Sequence, residues 1–204
     1  MDCIEKYFYL SPDQKEKYIK FKELFLDWNS KINLISRKDV DFFCIKHVLH
    51  SLSIAKYVDL DGTKVLDVGT GGGLPGIPLA IMFPNAQFSL IDSIRKKIDA
   101  VSNIISELGL KNTEAQNIRS NELKGKFDFV VARAVTNFPK FYNDVKHLIK
   151  PGFISNKTNG IIYIKGGDFG EEIKPYKKKI TIDKISDTFK EDYFDTKKII
   201  HYKY

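Results

Sequence analysis

Residues 65–79 read VLDVGTGGGLPGIPL, and this stretch decides the fold class of the 204-residue chain. Its first residues predict a short apolar strand, and the glycines after them predict a tight loop at the strand's carboxyl end. Glycine permits left-handed backbone angles and lets a ligand approach the backbone closely. In an open parallel sheet, ligands bind at the edge where such a loop lies. The stretch therefore predicts a ligand-binding loop in an α/β, Rossmann-like domain.

Strands and helices alternate downstream of this loop. Strands are predicted at residues 64–68, 87–91, 113–118, 127–132 and 160–165, and helices at 78–83, 95–108 and 138–149. This alternation implies a mostly parallel sheet with helices on both faces. Two apolar runs between residues 181 and 204 predict an antiparallel strand pair at the end of the chain.

Two helices are predicted before the first strand. The first, residues 12–30, carries apolar residues at helical spacing on one face: Phe21, Leu24, Phe25 and Trp28. The second is predicted to begin near Asp39, as its N-cap, and to run to about Val58. The chain then divides into an N-terminal helical lobe, residues 1–62, and a Rossmann-like domain that forms one compact unit, residues 63–204.

Charge and cysteine content limit the partners of the chain. It has 33 lysines and arginines against 26 acidic residues, a net charge of +7 that favours a polyanion such as nucleic acid. The alternative is that the scattered lysines reflect composition only. Cys3 and Cys44 are not spaced as metal ligands and two cysteines do not make a disulfide framework, which favours the cytosol. No apolar stretch approaches the roughly 18 residues that a membrane-spanning helix needs.

Acidic residues beside the glycine loop favour one ligand class over another. Gly71, Gly73 and Gly76 satisfy the dinucleotide-binding pattern G-x-G-x-x-G, which is weakly specific by itself. No lysine or arginine occurs between residues 65 and 94, whereas Asp67 lies in the strand before the glycines. A carboxylate there suits a cationic sulfonium better than a pyrophosphate. The residues therefore favour S-adenosylmethionine over a nicotinamide dinucleotide.

Asp92, at the end of the second predicted strand, is the other acidic candidate. A carboxylate in this position can accept hydrogen bonds from both ribose hydroxyls of a nucleoside ligand. The structural alternative is that Asp67 caps the turn after its strand and that Asp92 caps the helix beginning near Ser93. Both capping roles are compatible with ligand binding.

The motifs resemble those of the RsmG (GidB) family of bacterial methyltransferases, which act on N7 of a guanine in small-subunit (16S) ribosomal RNA. The resemblance rests on DVGTGGGLPGIPL at residues 67–79, LIDS at 90–93, FD at 127–128 and RA at 133–134. It covers nearly the whole chain through further motifs: WN at 28–29, NL at 33–34, HVLHS at 47–51, KG at 165–166 and Lys203. It implies a class I S-adenosylmethionine-dependent methyltransferase.

The resemblance also implies roles for single residues. The backbone at Gly69 and Leu74 would contact the cofactor, and Ser120 and Asn121 occupy the place of the family's adenine-contacting pair. The predicted cofactor-binding set is Asp67, Gly69, Gly71, Leu74, Asp92, Ser120, Asn121 and Arg133. The chain departs from the family at three positions. The family often has aspartate where this chain has His50, glutamate where it has Asn121 and arginine where it has Lys197.

Arg133 is the predicted catalytic residue, because it matches a family arginine near the methyl-transfer site. A guanidinium can hydrogen-bond guanine O6 or a phosphate but cannot act as a base. Guanine N7 has a free lone pair and no proton to lose, so the reaction needs alignment rather than a general base. The structural alternative is an ion pair from Arg133 to Asp67 or Asp128. Candidate RNA contacts are Arg119, Lys96 and Lys165.

Other functions remain compatible with these residues. The alternatives are a methyltransferase for another RNA, a protein or a small molecule, a nicotinamide-dependent oxidoreductase, and a noncatalytic nucleic-acid-binding module. Taken together, the sequence predicts S-adenosyl-L-methionine as cofactor and small-subunit ribosomal RNA or the 30S particle as partner. It also predicts a cytoplasmic monomer without a metal or a membrane segment.

Overall fold

The computed structural model describes residues 2–133, 135–154 and 157–204, and within them a seven-stranded sheet forms the centre of the molecule. Its strands are β1 (Lys64–Val68), β2 (Gln87–Asp92), β3 (Thr113–Asn117), β4 (Phe129–Arg133), β7 (Gly160–Gly166), β8 (Ile180–Lys184) and β9 (Lys197–Lys203). A separate two-stranded ribbon is formed by β5 (Phe153–Ile154) and β6 (Lys157–Thr158).

The strand order is β3-β2-β1-β4-β7-β9-β8. The first five strands in this order are parallel, β9 is antiparallel to β7, and β8 is antiparallel to β9. The chain winds outward from β1 in both directions, so the topological switch point lies between β1 and β4. Ligands of open α/β sheets bind at this point, beyond the carboxyl ends of the strands.

Helices cover both faces of the sheet. The α-helices are α1 (Asp2–Glu5), α2 (Pro12–Lys31), α3 (His50–Tyr57), α4 (Gly76–Met82), α5 (Arg95–Glu107), α6 (Phe138–Val145) and α7 (Gly170–Ile173). A π-helix spans Cys44–Leu49, and short 3₁₀ helices span Arg37–Asp39, Lys146–Leu148, Lys174–Lys179, Ile185–Asp187 and Asp192–Phe194. The predicted α/β class, with a mostly parallel sheet behind an N-terminal helical segment, is confirmed.

Alternation along the strands divides the core into two layers, because successive side chains of a strand point to opposite faces. In β4, Phe129 and Val131 belong to the layer that contains α2, α3, α4 and α5, whereas Val130 and Ala132 belong to the layer that contains α6. Phe21 of α2 packs into the first of these layers. The N-terminal helices therefore share a core with the sheet, while the predicted division at residue 62 stays a prediction.

The predicted second helix was wrong at its start. Ser36, not Asp39, caps the turn that follows α2, because its hydroxyl accepts the Lys38 amide. The Asp39 carboxylate instead forms an ion pair with Lys46 at 2.7 Å. Regular α-helix begins only at His50, after the π-helix.

The expectation that the two cysteines stay unpaired was also wrong. Cys3 of α1 and Cys44 of the π-helix are bonded to each other, with their Cα atoms 6.5 Å apart. The pairing joins two segments that are 41 residues apart in the sequence. Spacing alone gave no sign of it, because the short helix α1 was not predicted.

Candidate functional site

A cleft of about 680 Å³ opens at the carboxyl ends of β1, β2 and β4. Gly69 follows β1, Asp92 ends β2 and Arg133 ends β4, and all three line this cleft. The loop after β3 completes the wall with Arg119, Ser120 and Asn121. Six of the predicted site residues are therefore brought together at the switch point of the sheet.

At Gly69 the glycine loop lies close to the segment that follows β4. This residue has φ +70°, and its N–H donates to the Ile91 carbonyl at 2.9 Å. A Cβ at this position would lie only 2.9 Å from a Val135 methyl group, which lines the same cleft. The absence of a side chain therefore lets Val135 pack against the glycine loop at the wall of the cleft.

Tyr163 of β7 fixes the segment that approaches the glycine loop. Its hydroxyl donates to the Thr136 carbonyl at 2.6 Å and accepts the Val135 and Thr136 amides at 3.0 Å each. Tyr163 was not among the predicted site residues. Nothing in its local sequence signals this contact, which depends on the pairing of β7 with β4. Ala134, part of the motif at residues 133–134, lies outside the described residues.

Asp67 is buried beneath the loop and does not line the cleft. Its Oδ2 accepts the Thr70 hydroxyl at 2.6 Å and the Gly76 amide at 2.9 Å. Burial raises the pKa of the Asp67 carboxyl to about 7, although these hydrogen bonds and Arg133 oppose the rise. The geometry corresponds to the capping alternative, in which Asp67 holds the loop together. Asp67 lies beneath the loop and not on the cleft wall, and its contribution to cofactor binding stays a prediction.

Asp92 combines a structural contact with exposure to the cleft. Its Oδ2 accepts the Gly71 amide at 3.0 Å and its Oδ1 accepts the Ile94 amide at 2.9 Å. Each carboxylate oxygen can accept a further hydrogen bond, so the group is still able to hold ribose hydroxyls. Gly71 itself acts through this bond to Asp92 and does not line the cleft.

Leu74 and two of the predicted RNA contacts lie apart from the cleft wall. Leu74 is buried, and its amide donates to the Thr70 carbonyl at 2.9 Å. Lys165 forms an ion pair with Glu172, which also accepts the Phe138 amide. Lys96 is exposed on α5, whereas its neighbour Lys97 lines the cleft.

Arg133 is partly buried, and its Nη1 donates to the Lys46 carbonyl at 3.3 Å. Among the described residues no carboxylate lies within 4.0 Å of its guanidinium, so the ion pairs considered as alternatives are not formed there. Asp128 instead binds the Lys64 amide and the Asn159 side chain. Burial lowers the pKa of Arg133 from its usual range, and Tyr193 and nearby carboxylates oppose this effect.

The charged side chains that line the cleft are mostly cations, although the only charged residues at positions 65–94 of the sequence are acidic. Four cationic side chains line it, against the carboxylates of Asp92 and Asp144; the cations are Lys97, Arg119, Arg133 and Lys140. Lys97, Lys140 and Asp144 were not predicted as site residues. Lys97 lies near the start of α5, and Lys140 and Asp144 lie on α6. These positions indicate a site only once the two helices are placed around the switch point.

Neither a metal cluster nor a spanning helix is found in the described part of the chain. Residues 2–133, 135–154 and 157–204 hold no group of three or more histidine, cysteine or acidic side chains arranged to bind a metal ion. The helices in the same ranges are all too short or too polar to cross a bilayer.

Two solved structures with a similar fold are named as methylating enzymes. One is a SAM-dependent methyltransferase from Aquifex aeolicus, with a TM-score of 0.55 at 16% identity over 82% of this chain and 97% of that one. Another is a ribosomal protein L11 methylase from Lactobacillus delbrueckii subsp. bulgaricus, with a TM-score of 0.56 at 16% identity over 76% and 77% of the two chains. At this identity the likeness shows the fold, which is the predicted class I S-adenosylmethionine-dependent methyltransferase fold.

Sequence relatives are much closer. A ribosomal RNA small subunit methyltransferase G from Flavobacterium johnsoniae is 50% identical over 98% of this chain and 97% of its own length. A protein of the same name from Bacteroides thetaiotaomicron is 44% identical over 98% of each chain. Residues 14–199 match the model of the GidB family, described as rRNA small subunit methyltransferase G. The resemblance inferred from the motifs is confirmed: the chain belongs to the GidB family of small-subunit ribosomal RNA methyltransferases.

Proposed function

We propose that this protein transfers the methyl group of S-adenosylmethionine to N7 of a guanine in 16S ribosomal RNA. The observation that carries the proposal is the cleft at the switch point, where Gly69, Asp92 and Arg133 converge under a rim of cations. The names of the relatives support the RNA substrate. N7 as the target atom comes from the motif resemblance.

The cleft suits the cofactor in shape and in its donors and acceptors. Asp92 would hold the ribose hydroxyls, and the bare backbone at Gly69 would contact the amino-acid portion. Ser120, half-buried, and Asn121, exposed, would contact the adenine edge. When bound, S-adenosylmethionine supplies an electrophilic methyl group on a cationic sulfur.

The protein's own contribution to the reaction is alignment. Guanine N7 attacks with a lone pair that carries no proton, so a general base is not required. Arg133 would donate hydrogen bonds to guanine O6 or to a phosphate and so orient the base against the methyl group. Positioning of this kind can account for several kcal/mol of a reaction barrier, on the order of 7–11 in well-oriented systems.

The cations of the rim would bind the phosphates of the RNA. Lys97, Arg119 and Lys140 line the cleft and replace Lys96 and Lys165 as the favoured candidates, because Lys165 is held by Glu172. A substrate of ribosomal RNA also supports the proposed cytoplasmic location. The protein is proposed to act as a monomer on the RNA or on the 30S particle.

Methylation in vitro tests the proposal. Purified protein and radiolabelled S-adenosylmethionine are incubated with naked 16S RNA and, separately, with 30S particles from a strain lacking this enzyme. We expect incorporation into one of these substrates, mapped to a guanine that becomes sensitive to cleavage at N7-methylated sites. Retention of a nicotinamide dinucleotide instead of S-adenosylmethionine, or incorporation at another atom, would contradict the proposal.

A further inference from the structure

A chain of polar groups connects the N-terminal lobe to Arg133. The Lys46 carbonyl accepts the Arg133 Nη1 at 3.3 Å, and the Tyr193 hydroxyl lies 3.5 Å from the same carbonyl. The Tyr193 hydroxyl is also 3.2 Å from Nδ1 of His50. With a proton on Nδ1, His50 donates to Tyr193, Tyr193 donates to the Lys46 carbonyl, and Arg133 donates to that carbonyl as well. His50 Nδ1, the Tyr193 hydroxyl and one N–H of Arg133 then each have an acceptor.

The surroundings of His50 keep its ring neutral, as this arrangement requires. Burial lowers the pKa of His50 well below its usual value, and the charges of Arg133 and Lys197 act in the same direction. The ring packs edge-on against Tyr193, with centroids 5.4 Å apart and planes at 86°. Nε2 of His50 is buried without a hydrogen-bond partner in the described residues. A neutral ring with its proton on Nδ1 leaves no donor unpaired.

The acceptor in this chain is a carbonyl of the π-helix. Lys46 lies within Cys44–Leu49, and turns of this type are frequent at functional sites. Its side chain is tied to Asp39 at 2.7 Å, which fixes the residue from the other side. Among the described residues the Lys46 carbonyl is the acceptor that Arg133 contacts, so the orientation of the guanidinium depends on it.

We propose that Tyr193 and His50 are positioning residues that orient Arg133 for methyl transfer through the Lys46 carbonyl. The inference rests on the proposed function, because that function places Arg133 beside the target base. Fixing one of the five N–H groups of a guanidinium restricts its rotation and directs the others toward the cleft. The N-terminal lobe and the 3₁₀ helix Asp192–Phe194 thereby contribute to the active site from outside the sheet.

Removal of the Tyr193 hydroxyl tests the proposal most directly. Tyr193→Phe keeps the ring, so we expect the single-turnover rate of methyl transfer to 16S RNA to fall roughly three- to tenfold, as for the loss of one hydrogen bond. The dissociation constant for S-adenosylmethionine, measured by calorimetry, should change less than the rate. An unchanged rate, or an equal loss in rate and affinity, would overturn the assignment.

Two substitutions at His50 separate hydrogen bonding from packing. Asparagine places an N–H donor where Nδ1 lies, so His50→Asn should retain most of the rate. Leucine fills the space without a donor, so His50→Leu should lose as much as Tyr193→Phe. Equal rates for the two variants would remove His50 from the proposal.

The chain contains a matched control for the tyrosine. Tyr57 also bonds a buried histidine, with its hydroxyl 2.9 Å from Nδ1 of His201 and ring centroids 5.6 Å apart at 81°. This pair lies toward the opposite end of the sheet, since His201 pairs with Ile162 in the first half of β7. Tyr57→Phe should leave the rate unchanged. A loss equal to that of Tyr193→Phe would mean that both variants act through general stability.

A readout without RNA keeps the inference separate from the proposed function. The chain has four arginines: Arg37, Arg95, Arg119 and Arg133. The NMR signal of the Arg133 Nε–H can therefore be assigned with Arg133→Lys. Tyr193→Phe should shift or broaden it and Tyr57→Phe should not. An unmoved signal overturns the positioning role, whereas absence of methyl transfer by the wild-type protein overturns only the proposed function.

Discussion

Asp67 is a buried carboxyl that holds the glycine loop, with a pKa raised to about 7 by burial. A folded-state pKa above the unfolded value means that the protonated form is favoured by folding. The stability from this group is therefore fully present below about pH 4 and is lost as the pH rises through about 7. The difference between 3.8 and about 7 corresponds to roughly 4 kcal/mol.

Asp67→Asn should flatten this pH dependence, because the amide keeps an acceptor for Thr70 and Gly76 but cannot ionise. The measurement is the free energy of unfolding by urea between about pH 5 and about pH 8 in both proteins. We expect the wild type to lose more stability over this range than the variant. The buried histidines are common to both proteins and cancel in the comparison. Parallel curves would show that Asp67 is ionised in the folded protein near pH 5.

At the scale of elements, the loop after β1 combines a left-handed backbone with a close approach to the segment after β4. Gly69 has φ +70°, and Gly62, in the turn before β1, has φ +72°. A Cβ at Gly69 would lie 2.9 Å from Val135, whereas a Cβ at Gly62 would meet nothing within 4 Å. Alanine would therefore strain the left-handed backbone at both positions, but only at Gly69 would its methyl group also clash with a neighbour.

Gly69→Ala should therefore weaken binding of S-adenosylmethionine by about tenfold or more, since it displaces Val135 in the cleft. Gly62→Ala should cost only the left-handed backbone, about 1 kcal/mol of stability, and leave the affinity unchanged. Calorimetric titration and thermal unfolding of both variants check this. Equal affinities in the two variants would argue against a cofactor seated on the Gly69 backbone.

At the scale of the whole molecule, four cations of a chain with a net charge of +7 line one cleft. The other lysines and arginines are distributed along the rest of the sequence. Lys97 comes from α5, Arg119 from the loop after β3 and Lys140 from α6. Arg133 adds a fourth cation from the end of β4, and a cluster assembled from four segments at the ligand edge of the sheet is suited to the phosphates of an RNA backbone.

Lys97→Ala and Lys140→Ala should each weaken RNA binding and reduce the slope of log K against log salt by somewhat less than about one. A charge-matched control for the double variant Lys97→Ala/Lys140→Ala is the double alanine variant of Lys177 and Lys178, on the 3₁₀ helix before β8. The control should change the slope less than the double variant in the cleft does. A larger effect at the 177–178 segment would place the RNA on a different surface.

Three features could be predicted from the order of residues alone: the fold class, the loop at the end of β1 and the family. These features are encoded locally: the glycines and the acids Asp67 and Asp92 lie within one strand-loop-helix-strand unit, and each predicted strand except residues 113–118 has its own apolar run. The antiparallel pair at the end of the chain was predicted for the same reason. The predicted start of the second helix at Asp39 was wrong because the Asp39 side chain pairs with Lys46 instead of capping a helix.

The electrostatics of the site could not be predicted in this way, because they depend on how distant segments fold together. No cation occurs within residues 65–94, yet Lys97, Arg119, Arg133 and Lys140 surround the cleft because the starts of α5 and α6, the loop after β3 and the end of β4 meet at one edge of the sheet. The tertiary structure likewise buries the Asp67 carboxyl beneath the loop, where it accepts the Thr70 hydroxyl and the Gly76 amide. Charge and solvation at a point in space depend on everything folded around it, which residue order along the chain does not reveal.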